Sequence, residues 1–247
     1  QQLDWKLGLR KLGGLLPIEN ENQWNILARR EKALQALGIQ SELVTADRLP
    51  EIEPSIDPSR LLGGLYHADE GQVDPFQLIN AYLTRARQLG LTEYYHCPVT
   101  RFELNSGKIK SIQTAAGNFS SDTVILCTGA YTNSLVKNIG LKWDMLHYVL
   151  GQAMVTEPLP IQLNTHLASA SFFEMGADIP HGVLLANMAI SQSTHGNLLL
   201  GESMYEANHF KTHMPDNALP WIARSVLKYF PGFYKLRILR GWSAAIA

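Results

Sequence analysis

The sequence predicts a mixed α/β (α+β) globular protein, and three observations carry that prediction. A helix with a complete start signal runs from Asp74-Pro75 to Gly90; short β-type runs separated by turn residues fill 92–127; and a β-type run leads through Cys127-Thr128-Gly129 into a second helix. The 247 residues are 46% hydrophobic and 17% charged, enough apolar matter for a buried core and too little charge for a disordered chain. That length allows one or two domains.

In chain order, residues 8–18 have the Gly-broken apolar character of a strand and turn. Asn20 then caps a helix, with Gln23 three residues on and Trp24, Leu27, Leu34 and Leu37 near helical spacing before Gly38 stops it. Residues 41–45 read as a strand and 46–53 as short helical turns broken by Pro50 and ended by Pro54. In the next helix Asp74 is the N-cap and Pro75 takes the first position. Its apolar face is expected to be Leu78, Ile79, Tyr82, Leu83, Ala86 and Leu89.

Strands are expected at 92–95, 99–104, 108–114 and 118–120, with turns at Asn105-Ser106-Gly107 and Ala116-Gly117. Residues 123–127 read as a buried strand, and 130–138 as the helix after it. Further strands are expected at 143–157, 171–173, 183–190, 198–201 and 236–240, and a helix at 217–230 between Pro220 and Pro231. Residues 179–201 carry no charged side chain and are long enough to span a bilayer. Asn187, Ser191, Gln192, Ser193, Thr194, His195 and Asn197 interrupt them, so the reading is two strands around a hairpin turn.

Function classes narrow by chemistry. A net charge of −1 leaves no electrostatic footprint for nucleic acid or an anionic membrane. Cys97 and Cys127 are too few and too far apart for a disulfide scaffold or structural zinc, which fits a reducing, cytoplasmic setting. His209 and His213 have i, i+4 spacing but lie in a loop-like segment without a third ligand, so no metal site is expected. Asp69, Glu70 and Asp74 read as a helix cap with a solvated turn. No nucleophile elbow, P-loop or G-x-G-x-x-G is present. Cys127 has no nearby base to activate it and reads as a small packed residue. One candidate ligand turn is left, Cys127 to Tyr131, where a strand stops at small residues and backbone can meet a ligand closely.

Three segments taken in order resemble one family: Tyr66-His-Ala-Asp-Glu-Gly-Gln-Val-Asp-Pro75 with its helix, residues 123–135 containing Cys-Thr-Gly-Ala-Tyr, and Gly151-Gln-Ala-Met-Val-Thr-Glu-Pro158. Weaker matches are Gly196-Asn-Leu-Leu-Leu-Gly-Glu202 and Arg240-Gly-Trp242. The family is the D-amino-acid-oxidase-like FAD-dependent oxidoreductases of amines and amino acids, which include glycine and sarcosine oxidases, proline dehydrogenase β subunits and hydrogen cyanide synthase subunits. The resemblance implies an incomplete glutathione-reductase-like FAD domain interleaved with a mixed-sheet substrate domain. The implied division is 1–65 for substrate-domain and connecting segments, 66–140 for part of the FAD domain, 141–240 for the substrate domain and 241–247 for a return to the FAD domain.

It further implies FAD contacts through backbone at Val99, Cys127, Thr128, Gly129 and Ala130, with Tyr131 at a common aromatic position. Val99 reads equally well as a core strand residue, and Gly129 as a turn residue alone. The implied reaction is hydride transfer to flavin from the carbon bearing a neutral amine of an amino acid or secondary amine, which needs no side-chain nucleophile. A partner subunit or oligomer is compatible with the resemblance, and membrane association is expected only through such a partner. The family's G-x-G-x-x-G and its substrate-carboxylate Arg after the Trp at 242 are absent, so the chain resembles an internal segment, and Arg237 and Arg240 read as strand or surface residues. The other readings are a non-catalytic scaffold subunit or inactive fragment and, without motif support, a nicotinamide-dependent dehydrogenase.

Overall fold

The computed structural model describes residues 5–137, 139, 140, 143, 146, 148–174, 184–206 and 213–246. The chain forms two compact units, one of Gln1–Leu83 with Leu150–Ala244 and one of Thr84–Val149 with Ala245–Ala247. In chain order the elements are β1 (Arg10–Lys11), β2 (Gly14–Ile18), α1 (Glu21–Ala36), β3 (Ser41–Thr45), α2 (Leu49–Ile52), β4 (Gly63–His67), β5 (Gly71–Gln72), α3 (Pro75–Gln88), β6 (Val99–Asn105), β7 (Lys108–Thr114), β8 (Gly117–Ser120), α4 (Thr132–Lys137), β9 (Val149–Pro158), β10 (His166–Ala168), β11 (Leu185–Gln192), β12 (Asn197–Glu206), α5 (Ala218–Tyr229) and β13 (Ile238–Ile246).

The larger unit is built on an eight-stranded sheet in the order β13-β9-β12-β11-β10-β2-β4-β3. Its two halves meet where β10 pairs with β2 in parallel, while β2–β4, β3–β4, β10–β11 and β11–β12 are antiparallel. One sheet face holds the core. Leu15, Met154, Leu167, Ile190, Leu198 and Leu200 pack there with Ile222, Val226 and Phe230 of α5 and its C-terminal end. The α5 stripe at 222, 226, 229 and 230 has the i, i+4 spacing that one helix face requires. Leu27 of α1 joins Ile18, Leu65 and Ala170 in a second cluster. The smaller unit is described by the antiparallel meander β6-β7-β8 and by α4.

Local signals behave as their chemistry demands. The Asn20 side chain accepts from the Gln23 amide at 2.9 Å, and Asp74 Oδ1 accepts from the Phe76 and Gln77 amides. The β6–β7 turn places Ser106 and Gly107 at φ 50° and 76°, the left-handed pair of a tight hairpin. The hairpin read at 193–197 joins β11 to β12. Residues 179–183 of the charge-free run lie outside the described residues, and its remainder is β11, the hairpin and the start of β12. Among the described residues no helix is long and apolar enough to cross a membrane.

Several expectations are corrected. Residues 123–127 form no regular element and pair with no strand among the described residues, and Ile125 is 79% exposed rather than buried. A strand needs a neighbour to take its backbone groups, and apolar composition does not provide one. Residues 92–95 likewise stay unpaired. Residues 171–173 form a 3₁₀ turn, because Ser169 caps Ser171 and turns the chain. The β10 strand before it went unread, being three residues long. The apolar face expected on α3 is half open: Leu78, Leu83 and Ala86 are half-buried, whereas Ile79, Tyr82 and Leu89 are exposed, and the buried residue is Ala81. The last strand is longer than expected and runs to Ile246. Residues 138, 144, 145 and 147, inside the expected helix at 130–138 and strand at 143–157, lie outside the described residues, as does His209.

Candidate active site

Two places combine an opening with chemistry, one in each unit. In the smaller unit residues 123–127 lead into a 3₁₀ turn at Gly129–Tyr131 and then α4. Gly129 sits at φ +50°, and a side chain there would meet nothing within 4 Å, so its backbone faces open space. The Tyr131 amide donates to the Thr128 carbonyl at 3.0 Å, and the Thr128 and Thr132 hydroxyls lie 2.9 Å apart. Cys127 is exposed, Ala130 is buried and Tyr131 is 54% exposed. One turn further, Asn133 donates to the Leu146 carbonyl while its Oδ1 is buried without a partner. The structure thus gathers residues 127–131 in a single turn. Val99 stands apart from that turn in sequence, half-buried at the start of β6 opposite Thr114.

The second place was not legible beforehand. On the sheet face away from the core of the larger unit, Gly14, Ala168, Ala189 and Gly201 form the floor of a concavity of about 320 Å³, flanked by Glu70 and His166. Alternation explains the floor: Leu15, Leu167, Ile190 and Leu200 point into the core, so their neighbours point out. Small residues at four of those outward positions leave the hollow. Its size falls within the range of small-molecule sites.

Glu70 was read as part of a solvated turn. The residue is exposed, yet its carboxyl lies over Gly14 in the space a side chain at 14 would occupy. This partial burial raises the carboxyl above the ordinary glutamate value, opposed by the positive charge of Arg30. His166 is half-buried, and its Nε2 has no hydrogen-bond partner. Burial, and then the Arg10 charge, hold the His166 imidazole below 6.5. His166 was not singled out because a lone His between the strands read at 143–157 and 171–173 carries no motif. Arg237 and Arg240 are exposed, the latter with its guanidinium over the Trp242 ring. No group of three or more metal-binding side chains occurs among the described residues.

A pH dependence follows from His166. Below about pH 6.5 the unfolded chain protonates this histidine while the fold resists, so the unfolded state holds more protons and stability falls with falling pH. The drop in urea midpoint from pH 7.5 to 5.5 is expected to be smaller in His166→Gln than in the parent protein. Glu70 and Glu202, whose pKa values burial raises, act in the opposite sense but are common to both proteins. An identical drop in the two would show that His166 burial does not set it.

Comparison with known proteins places these features in a family. The FAD dependent oxidoreductase family (DAO) matches residues 1–247. A D-amino acid dehydrogenase of Rhizobium rhizogenes is 30% identical over 134 residues, covering 53% of this chain and 32% of that protein. The mitochondrial dimethylglycine dehydrogenase of Rattus norvegicus is 26% identical over 118 residues, 48% of this chain and 14% of that one. Among solved structures, L-proline dehydrogenase from P. horikoshii superposes with a TM-score of 0.84 at 20% identity, covering 97% of this chain and 61% of its own. Glycine oxidase from Bacillus cereus gives 0.82 at 16% identity, with 98% and 62% covered. The chain therefore spans about three fifths of these solved chains and a third or less of the two curated relatives. With the family matched over its whole length and the fold matched over nearly all of it, the chain belongs to the DAO family of FAD-dependent oxidoreductases.

Proposed function

We propose that the protein is an FAD-dependent oxidoreductase that oxidises the C–N bond of an amino acid or secondary amine. The observation that carries this reading is the full-length family match, joined to an open backbone turn at Gly129. FAD, when bound, supplies the hydride acceptor. The residues present fit such a group, since the turn opens at Gly129, where a side chain would meet nothing within 4 Å, with Tyr131 54% exposed beside it. These residues, and Val99 through its strand backbone, are assigned to the adenosine and pyrophosphate side. The sheet face of the larger unit is assigned to substrate: its floor of small residues admits an apolar body and removes water from around it. Residues 66–140 are accordingly given to FAD binding, with 241–247 returning to that domain, and 1–65 and 141–240 to the substrate domain. Free Cys97 and Cys127 suit a cytoplasmic setting.

The test is flavin content. Full-length protein is expected to purify yellow, and Gly129→Val to lower FAD affinity at least tenfold. A branched side chain at positive φ costs about 1–2 kcal/mol and fills the approach to the backbone. Circular dichroism separates this from unfolding. A full-length protein that folds yet never retains added FAD would instead be a scaffold subunit.

A further inference from the structure

One buried amide fixes the walls of a second hollow in the larger unit. The link after β9 and the hairpin between β11 and β12 enclose, with Arg10, about 380 Å³, a volume within the range of small-molecule sites. Gln192, 3% exposed, accepts from the Leu163 amide at 2.8 Å and donates to the Ile161 and Gly196 carbonyls at 2.9 and 3.0 Å. The Leu159 amide adds a bond to the Gly196 carbonyl at 3.0 Å. Link and hairpin are thereby held together, and both polar atoms of the Gln192 side chain are committed. This hollow shares no lining residue with the concavity flanked by Glu70 and His166.

Arg10 brings to it a charge that the described residues leave uncompensated. Its place is set by β1, where it is the ladder partner of Gln72. The residue is half-buried, and its Nη1 donates to the Gln192 carbonyl at 3.1 Å. A guanidinium carries five N–H groups in a rigid fork, and this bond occupies a single one of them. Among the described residues no carboxylate stands within ion-pair distance of Arg10, and no residue lining the hollow is acidic. In the same lining the Thr194 hydroxyl has no hydrogen-bond partner among the described residues. Partial burial of a charge without a counter-charge costs free energy, which an anion in the hollow would recover.

We propose that Arg10 anchors a small oxyanion, a carboxylate or a phosphate, in this hollow, with the Thr194 hydroxyl as a further donor. Two guanidinium N–H groups meet two oxygens side by side, the match for which a planar fork is suited. The site needs neither FAD nor the proposed reaction. His166 reports on it from within the fold: burial, and then the Arg10 charge, hold its imidazole below 6.5, so neutralising Arg10 raises it.

The test is calorimetric titration of the full-length protein with sodium acetate, sodium phosphate and acetamide, at an ionic strength fixed with sodium chloride. One of the two anions is expected to bind at least tenfold more tightly than acetamide, which has the shape of acetate without its charge, and the tighter anion identifies the class. Arg10→Gln is expected to lower that affinity at least tenfold, and Arg10→Lys, which keeps the charge but not the fork, about threefold. In histidine NMR spectra, with His166→Gln assigning the signal, the His166 pKa is expected to rise on addition of the anion in the parent protein and not in Arg10→Gln. Anions that bind no more tightly than acetamide, an affinity unchanged in folded Arg10→Gln, or a His166 pKa unmoved by the anion would each overturn the site. Should Arg10→Gln fail to fold, Arg10→Lys and the His166 signal of the parent protein decide.

Discussion

Gly63→Ala is expected to destabilise the protein by about 3 kcal/mol or more, read as a fall in urea midpoint. Gly63 begins β4, an interior strand that pairs with Ile18 of β2 on one side and Thr45 of β3 on the other. A methyl group at this position would overlap the Val44 carbonyl oxygen and press the Trp24 ring at 2.8 Å. A side chain can swing aside, but a backbone carbonyl moves only with its strand. Relief therefore requires β3 to shift against β4, at the cost of ladder bonds and of the contacts of Leu43 and Val44. Gly232→Ala is the control: nothing lies within 4 Å of its Cβ position, and it should change stability by about 0.5 kcal/mol or less. Equal midpoints for the two variants would refute the close approach at Gly63.

Phe230→Ala is the second large effect, expected to cost about 3–5 kcal/mol. Phe230 is fully buried at the end of α5, and its ring stacks on Phe233 with centroids 5.0 Å apart. Its amide also closes the helix on the Val226 carbonyl at 2.9 Å. Truncation keeps that bond but removes the ring that wedges the helix end into the core, and the following turn at Pro231–Lys235 holds Phe233 too firmly to refill the space. Phe76, 75% exposed on α3, gives the contrast: Phe76→Ala should move the midpoint by about 0.5 kcal/mol or less. A loss at Phe230 no larger than that at Phe76 would contradict its place in the core.

These contrasts show where sequence patterns inform and where they mislead. Ile79, Tyr82 and Leu89 look like core residues of an amphipathic helix, yet all three are exposed, and the one buried residue of α3 is Ala81. Periodicity identifies a face, and burial needs something to lie against it. The same holds for residues 123–127, whose β-type composition predicts a buried strand and which pair with no strand among the described residues. The Gly129 turn was legible because its cause is local: a small residue free to take positive φ, between β-type and helical runs. Glu70 and His166 were not, since they are far apart in sequence and come to line one hollow only in the folded sheet.

The sequence by itself determined the helix caps at Asn20 and Asp74, the hairpins at 105–107 and 193–197, the turn at 127–131 and the family. Each rests on interactions within a few residues, or on an ordered set of such segments. Only the tertiary structure decided the order of the eight strands, which apolar faces are covered, and the hollow flanked by Glu70 and His166. The parallel β10–β2 contact joins segments about 150 residues apart, and no local propensity encodes a partner at that distance.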